Sequence, residues 1–442
     1  MRQGRGGAAE RAIRDELVDP AVLEAYGLAH DQGWLADRAL ERVLRRERRL
    51  FAAERRAASE AVYGLVRWQG QLEWLLGKEG PRAPVPLRYA LWLARFGGLP
   101  PAAAARRMAL SPRSLAALEG AEDRIAAVAD PVERLAVEES LPPWIAARFV
   151  EELGLPEARE LARAMNQRAP LTVRANLLRA SRDELGVRLA AEGMGSAPTA
   201  FSPWGLTLDG HQNAFGLRSF REGWFEIQDE GSQLLALALG ARPGKVVVDA
   251  CAGAGGKSLA LAMEMHNRGD LHALDSDEGR LSEARRRARR AGVHNLRARV
   301  IPAGAQAGAA LADLAGKADR VLVDAPCSGL GTLRRKPDAR WRLAPEDPAR
   351  FAALQRELVA RFAGLLRPGG RLLYATCAIG RAENEEVAAF VASEVPGMAP
   401  LPVAAGLGEE RARALGAAGH ELHLLPHRHG TDGFYAALFE RS

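Results

Sequence analysis

From Pro243 to the last residue the chain repeats one alternation, a short apolar run followed by a longer stretch of helical periodicity. The runs are KVVVD, LHALD, LRARVI, RVLVD and RLLYAT, and between them lie stretches such as SLALAMEMH and PARFAALQRELVARFAGLL. Short strands joined through helices make a parallel sheet covered on both faces. The fold class this imposes is α/β. Ligands of such sheets gather beyond the carboxyl ends of the strands, where the strand order reverses.

The rest of the chain differs in texture. A length of 442 residues exceeds what one core organises. The first third lacks strand signals: Leu40, Val43 and Leu44 mark one helical face, Val62, Leu65 and Val66 another, and PLRYALWLARFGG runs into paired glycines that stop a third. Residues 136–235, with LTVRANLL and a Gly- and Pro-punctuated run from Gly193 to Gly223, read as short strands in an α+β segment. The expected organisation is an all-helical domain over 1–135, an α+β segment over 136–235 and an α/β domain over 236–442.

Composition sets limits on function. The net charge of +6 permits an acidic partner such as nucleic acid without demanding one. Arginines cluster at Arg45 to Arg56, at Arg285 to Arg290 and at Arg334, Arg335 and Lys336, and only the last cluster sits beside a chemical motif. Three cysteines, Cys251, Cys327 and Cys377, are too few for a disulfide framework, and no C-x-x-C suggests a metal. The N-terminus MRQGRGGAAERAIRDELV lacks a signal peptide's apolar stretch, and no run approaches a membrane span. A reducing cytoplasm is the expected compartment, with no membrane partner.

DACAGAGGKS, residues 249–258, imitates a phosphate-binding loop and fails. Five residues before Gly256 stands Cys251, where that loop needs glycine, and Gly253 leaves a turn too short to encircle a triphosphate. The loop still sits directly after a strand and opens a helix. Gly253 and Gly255 let backbone approach a ligand closely, and Asp275 closes the next strand at the spacing of a carboxylate that accepts from ribose hydroxyls. Asp249 disfavours a pyrophosphate and suits a cationic ligand. S-adenosylmethionine, with its sulfonium and ammonium groups, meets both conditions.

RVLVDAPCSGLGTLRR puts Asp324 at a strand end and Cys327 three residues on, and RLLYATCAIG puts Cys377 just past the following strand. If those strands are neighbours, about 4.8 Å apart, both thiols open into one cleft. Cys251 reads instead as a small buried hydrophobe. A thiolate beside a methyl donor suits methylation of carbon 5 of cytosine, which is too weak a nucleophile until a thiolate adds at carbon 6. Asp324 is placed to steady that adduct near N3 and the exocyclic amine.

These residues also match a known family. DACAGAGGKS, DAPCSGLGTLRRKPDARW and YATCAIGRAENEEV resemble the glycine-loop, Asp-Ala-Pro-Cys and Thr-Cys motifs of the RNA cytosine-5 methyltransferases. FEIQDEGSQL resembles the segment before their catalytic domain, and DGFYAALFER their C-terminal strand. RRAASEAVYGLVRWQGQLEWLL resembles the NusB-type helical domain of the RsmB (Sun/Fmu) branch, which methylates small-subunit (16S) ribosomal RNA. The resemblance implies a Rossmann-like S-adenosylmethionine-dependent methyltransferase domain preceded by a small α+β segment and a NusB-like domain. It implies that Cys377 is the nucleophile and Cys327 aids product release. It assigns the cofactor to Cys251, Ala252, Gly253, Ala254, Gly255, Gly256 and Lys257 with Asp275 and Asp324, and has Lys257 neutralise Asp324 or position the loop. Ribosomal RNA is the implied partner, with Arg334, Arg335 and Lys336 meeting phosphates.

Two departures stand out. Ala254 replaces the family's proline, which softens the turn, and VIPAGAQAG offers Pro302, Ala303 and Gly304 where the family has an acid addressing the adenine. Two alternatives stay open at this level, a non-catalytic RNA-binding or ribosome-assembly factor and a cytosine-5 methyltransferase acting on transfer RNA.

Overall fold

The structure, a computed structural model, describes residues 13–209, 213–302, 304 and 306–442. The reading of the extreme N-terminus over its first twelve residues and that of Ala303 lie outside these. The chain divides into two compact units, Met1–Ala162 with Lys336–Arg342, and Arg163–Arg335 with Leu343–Ser442.

The first unit is helical wherever it has regular structure among the described residues. Its longest helix, Ala52–Leu76, begins where the Glu54 carboxylate takes the Phe51 N–H at 2.7 Å and pairs with Arg14 at 2.6 Å. Val62, Leu65 and Leu72 on that helix are buried with Val22 and Tyr26 of Asp15–His30 and with Leu91 of Val85–Arg95. The faces expected from the sequence are those that pack. The Arg45 to Arg56 cluster is largely spent locally: Arg45 pairs with Glu41, Arg49 with Glu47, and Arg55 donates to the carbonyls of Leu44, Glu47 and Leu50. Seven residues from far along the chain complete this unit. The Trp341 indole N–H donates to the Val66 carbonyl at 2.6 Å, and Arg340, fully buried, donates to that of Ser140 at 3.0 Å.

Helices continue through Pro143–Leu153 and Leu155–Asn166. The compact helical unit thus runs past residue 135 as far as 162. The turn signals near Asp130 and Pro131 begin another helix, with Asp130 capping the Glu133 N–H at 2.7 Å.

The second unit holds two sheets. The smaller is antiparallel, of β1 (Thr172–Ala175), β2 (Ser196–Pro198), β3 (Gly205–Leu208) and β4 (Phe225–Ile227) in the order β2-β3-β1-β4. Its alternation is clean: Val173, Ala175, Leu206, Leu208 and Phe225 face a small apolar core, while Thr172 and Arg174 take the other face.

The larger sheet contains β5 (Lys245–Asp249), β6 (Gly269–Asp275), β7 (Leu296–Val300), β8 (Ala318–Asp324), β9 (Leu366–Thr376), β10 (Met398–Pro400), β11 (Glu421–Leu424) and β12 (Phe434–Arg441). Its path is β10-β12-β9-β8-β5-β6-β7, with β11 on β12. Strands β5 to β9 pair in parallel and β12 is antiparallel to β9. One core cluster includes Val247, Leu271, Leu322 and Leu373, the other Val248, Val321, Val323 and Leu372, so successive residues of β5, β8 and β9 serve opposite faces. The α/β fold class is as expected. The order reverses between β5 and β8, which puts the Gly loop and the Asp-Ala-Pro-Cys turn side by side.

Candidate active site

The loop after β5 is pinned from the β6 side. Ala252 N–H donates to the Leu274 carbonyl at 2.9 Å and Gly253 N–H to Asp275 Oδ2 at 2.8 Å. Gly255 has φ +81°, and a Cβ there would lie 2.8 Å from that of Ala284, so the turn closes only on glycine. Asp275 also takes the Asp277 N–H at 2.9 Å. The carboxylate expected at a ribose thus braces the loop with one oxygen and the turn after β6 with the other. Asp249 is buried; one oxygen takes the Ser258 hydroxyl at 2.6 Å and the other has no hydrogen-bond partner. Burial pushes its pKa up to about 7, with Ser258 opposing and Asp324 adding to the shift. The Cys251 thiol is driven up by burial and by Asp324, Asp249 and Asp275, which leaves it inert.

On the other side of the reversal, Lys257 Nζ lies 2.6 Å from Asp324 Oδ2, joining the first turn of helix Gly256–Glu264 to the end of β8. Burial alone would lower the lysine's pKa, but Asp324 more than offsets it and the net shift is upward. Lys257 is thus held as the ammonium beside Asp324.

The two cysteines meet. Asp324 is in register with Ala375 on β9, and the Cys327 and Cys377 sulfurs lie 3.2 Å apart. Cys327 Sγ also accepts the Cys377 N–H at 3.3 Å. The hydrogen bond to Cys377, then burial, holds the Cys327 pKa well above the ordinary range. Cys327 therefore remains a thiol near neutrality, within hydrogen-bond reach of the Cys377 sulfur. The turn is clamped by Glu383, which takes the Ser328 N–H at 2.8 Å, and by Gln355, which donates to the Pro326 carbonyl at 2.9 Å. Gly331 N–H donates to the Cys377 carbonyl and Gly433 N–H to that of Gly331, each at 2.8 Å.

Arg334 and Arg335 require a correction. Arg334 is buried instead of facing solvent and phosphates, the Arg335 side chain is 31% exposed, and the two form an ion network with Asp432 and Asp229. Arg334 Nε and Arg335 Nε each lie 2.5 Å from Asp432, and Arg335 Nη2 lies 2.8 Å from Asp229. The Arg334 side chain is 6% exposed, and a buried guanidinium paired this way cannot double as a phosphate contact. Only Lys336 of the cluster is exposed. The network explains the QDEG and TDGF segments, whose acids are its anionic half.

Sequence reasoning missed three groups around the loop, Arg174, Glu226 and Arg287. Arg174 donates to the Gly256 carbonyl and Arg287 to that of Ala254, each at 2.9 Å. Glu226, on β4, pairs with Arg287 at 2.9 Å and also with Arg290. The available signals were Arg174 between Val173 and Ala175, Arg287 within the Arg285 to Arg290 cluster and Glu226 within FEIQDEGSQL. Among the described residues, no group of three His, Cys, Asp or Glu could hold a metal, and no helix is long and apolar enough to cross a membrane.

Comparison with known proteins bears on two stretches of the chain. Residues 236–440 match the family described as 16S rRNA methyltransferase RsmB/F, and residues 141–214 match the ferredoxin-like domain of RsmF/B-like methyltransferases. The Synechocystis sp. (strain ATCC 27184 / PCC 6803 / Kazusa) protein named "Probable ribosomal RNA small subunit methyltransferase B" is 31% identical over 433 residues, 92% of this chain and 95% of that protein. A Bacillus subtilis (strain 168) protein of the same name is 36% identical over 309 residues, 70% of this chain and 68% of its own. Among solved structures, the crystal structure of PH0851 superimposes with a TM-score of 0.79 at 26% identity, covering 98% of this chain and 100% of the other.

Proposed function

This chain belongs to the RsmB/F family of 16S ribosomal RNA methyltransferases, and from that premise we propose that it methylates carbon 5 of a cytosine in small-subunit ribosomal RNA through a covalent adduct on Cys377. The S-adenosylmethionine dependence of the family fits the loop after β5. Asp249 offers a buried carboxylate oxygen without a hydrogen-bond partner, which suits a cationic ligand, and the glycine-bearing turn leaves backbone accessible beside it. Residues 251–257, with Asp249 and Asp275, would hold the cofactor. When bound, it supplies an electrophilic methyl group.

The chain's own residues do the rest. Cys377, as thiolate, adds to carbon 6 of the base, and the electron pair this pushes into the ring makes carbon 5 nucleophilic. Asp324, held by Lys257, is the group assigned to N3 and the exocyclic amine. Once carbon 5 carries the methyl group, its proton is lost to water and the bond from Cys377 to carbon 6 breaks. The Cys327 S–H then meets the charge returning to the departing sulfur. A cytosine stacked in a helix must be unpaired or extruded before its carbon 6 can be reached. We place this chemistry in the cytoplasm, where the thiols stay reduced.

The observation that carries the reading is the pair of sulfurs 3.2 Å apart at the ends of adjacent strands, next to a lysine-held carboxylate. The test is denaturing electrophoresis after incubation with S-adenosylmethionine and unmodified small-subunit ribosomal RNA. A protein–RNA band should accumulate with Cys327→Ala and be absent with Cys377→Ala. A band that persists in Cys377→Ala would overturn the assignment of the nucleophile.

A further inference from the structure

The polar face of the small sheet is buried against the cofactor loop and the helix Glu278–Ala291 that follows β6. Arg174 is 2% exposed, Asn176 5%, Glu226 2% and Gln228 8%. Polar groups buried to this extent need partners, and all their buried polar side-chain atoms but Arg174 Nε find one, several of them across the boundary. Asn176 Nδ2 donates to the carbonyls of Gly223 and Ala291, each at 2.8 Å. Arg174 binds Gln228 and the Gly256 carbonyl. Arg287 reaches the Ala254 carbonyl with one nitrogen while two others hold Glu226 at 2.9 and 3.1 Å. Burial lowers the Arg174 pKa to about 10, so the side chain is still a cation at neutral pH.

We propose that Arg174 and Arg287 are positioning residues for the cofactor, a two-arginine clamp on the Ala254 and Gly256 carbonyls through which the seating of the small sheet sets cofactor affinity. A trans peptide points its C=O and N–H in opposite directions. Drawing the Gly256 carbonyl towards Arg174 therefore turns the Lys257 N–H the other way, at a helix start where amides have no partner within the helix. Arg287 acts on the turn itself. Gly255 N–H bonds the Ala252 carbonyl at 2.9 Å inside the loop, and the Ala254 carbonyl, on the opposite side of that peptide, is anchored by the guanidinium. At position 254, where no proline ring restrains the backbone, an external donor takes over that task. Glu226 orients Arg287 and ties this half of the clamp to β4.

The inference rests on the loop being the S-adenosylmethionine site, and the test separates the two ideas. Arg290 shares Glu226 with Arg287 but does not touch the loop, so Arg290→Met disturbs the same ion network and serves as control. Calorimetric titration of the full chain with S-adenosylmethionine should give a Kd about tenfold higher for Arg287→Met, the worth of one hydrogen bond from a charged donor. Arg290→Met should bind as wild type does. At saturating cofactor the kcat of Arg287→Met should match that of wild type, a rise in KM without loss of kcat. Equal weakening in both variants would make the arginines packing elements and overturn the proposal, as would unchanged affinity in a folded Arg287→Met. If Arg287→Met does not fold, Arg174→Lys reads the other half, keeping the buried charge while losing reach to the Gly256 carbonyl; wild-type affinity there would refute the clamp. A wild-type chain that fails to bind the cofactor would overturn the site assignment instead.

Discussion

Gly331→Ala is the sharpest single perturbation of the reaction centre. A Cβ at this position would lie 2.8 Å from the Cys377 carbonyl oxygen and 2.7 Å from the Gly433 carbonyl carbon, with the Gly433 oxygen nearer still. Non-bonded atoms settle about 3.5 Å apart, so one backbone segment must retreat by roughly 0.7 Å or more. Every neighbour is main chain, and none can swing aside as a side chain would. The retreat breaks the hydrogen bonds from Gly331 to Cys377 and from Gly433 to Gly331. Each is worth about 1 kcal/mol, and overpacking adds about 1–3 kcal/mol. A total loss of stability of about 3–5 kcal/mol follows. The consequence for chemistry is separable, because the segment that moves carries the nucleophile, and a misplacement near 1 Å costs about a hundredfold in rate. Single-turnover methyl transfer to RNA at saturating S-adenosylmethionine should fall by that factor, while calorimetric cofactor affinity, set at the end of β5, stays unchanged. A folded Gly331→Ala chain that transfers methyl at the wild-type rate would refute the argument that this contact positions Cys377.

Two further outcomes follow from the buried acids and their partners. The Asp249 pKa is raised from 3.8 to about 7, so between those values the folded chain holds a proton that the unfolded chain has lost. Without ligand, stability should therefore fall as pH rises across that interval, by about 4 kcal/mol at most from this group. Asp249→Asn should flatten that slope in denaturation measured from pH 4 to 8, and equal slopes in the two proteins would refute the assignment. Arg334→Ala should cost about 1.5–3 kcal/mol, because buried Asp432 loses one of its two guanidinium partners and keeps Arg335, and should leave the salt dependence of RNA binding unchanged; wild-type stability with a shallower salt slope would restore the phosphate role to Arg334.

What was legible in the sequence was whatever is local. Apolar runs alternating with helical stretches fixed the larger sheet, because period and length are written within each segment. The motifs at the ends of β5, β8 and β9 converge because parallel neighbours bring their carboxyl ends to one edge, so Cys327, Cys377, Asp324 and Lys257 came together as expected. Arg334 and Arg335 were misread because their partners lie 98 residues away at Asp432 and 106 at Asp229, and a basic triplet alone does not say whether it faces water or a buried acid. Arg174 and Arg287 were hidden for another reason, since their acceptors are backbone carbonyls, 82 and 33 residues away, that carry no residue signature. Membership of Arg340 and Trp341 in the helical unit had no local mark at all.

The spacing of the two sulfurs has a redox consequence. A hydroperoxide that oxidises Cys377 to a sulfenic acid, releasing water or an alcohol, leaves that acid about one bond length beyond disulfide distance from a neighbouring thiol. Attack by the Cys327 sulfur then expels the sulfenic oxygen as water and closes an S–S bond across a gap of about 1 Å. Both roles in the methylation cycle are lost in that one event, and a reducing thiol restores both.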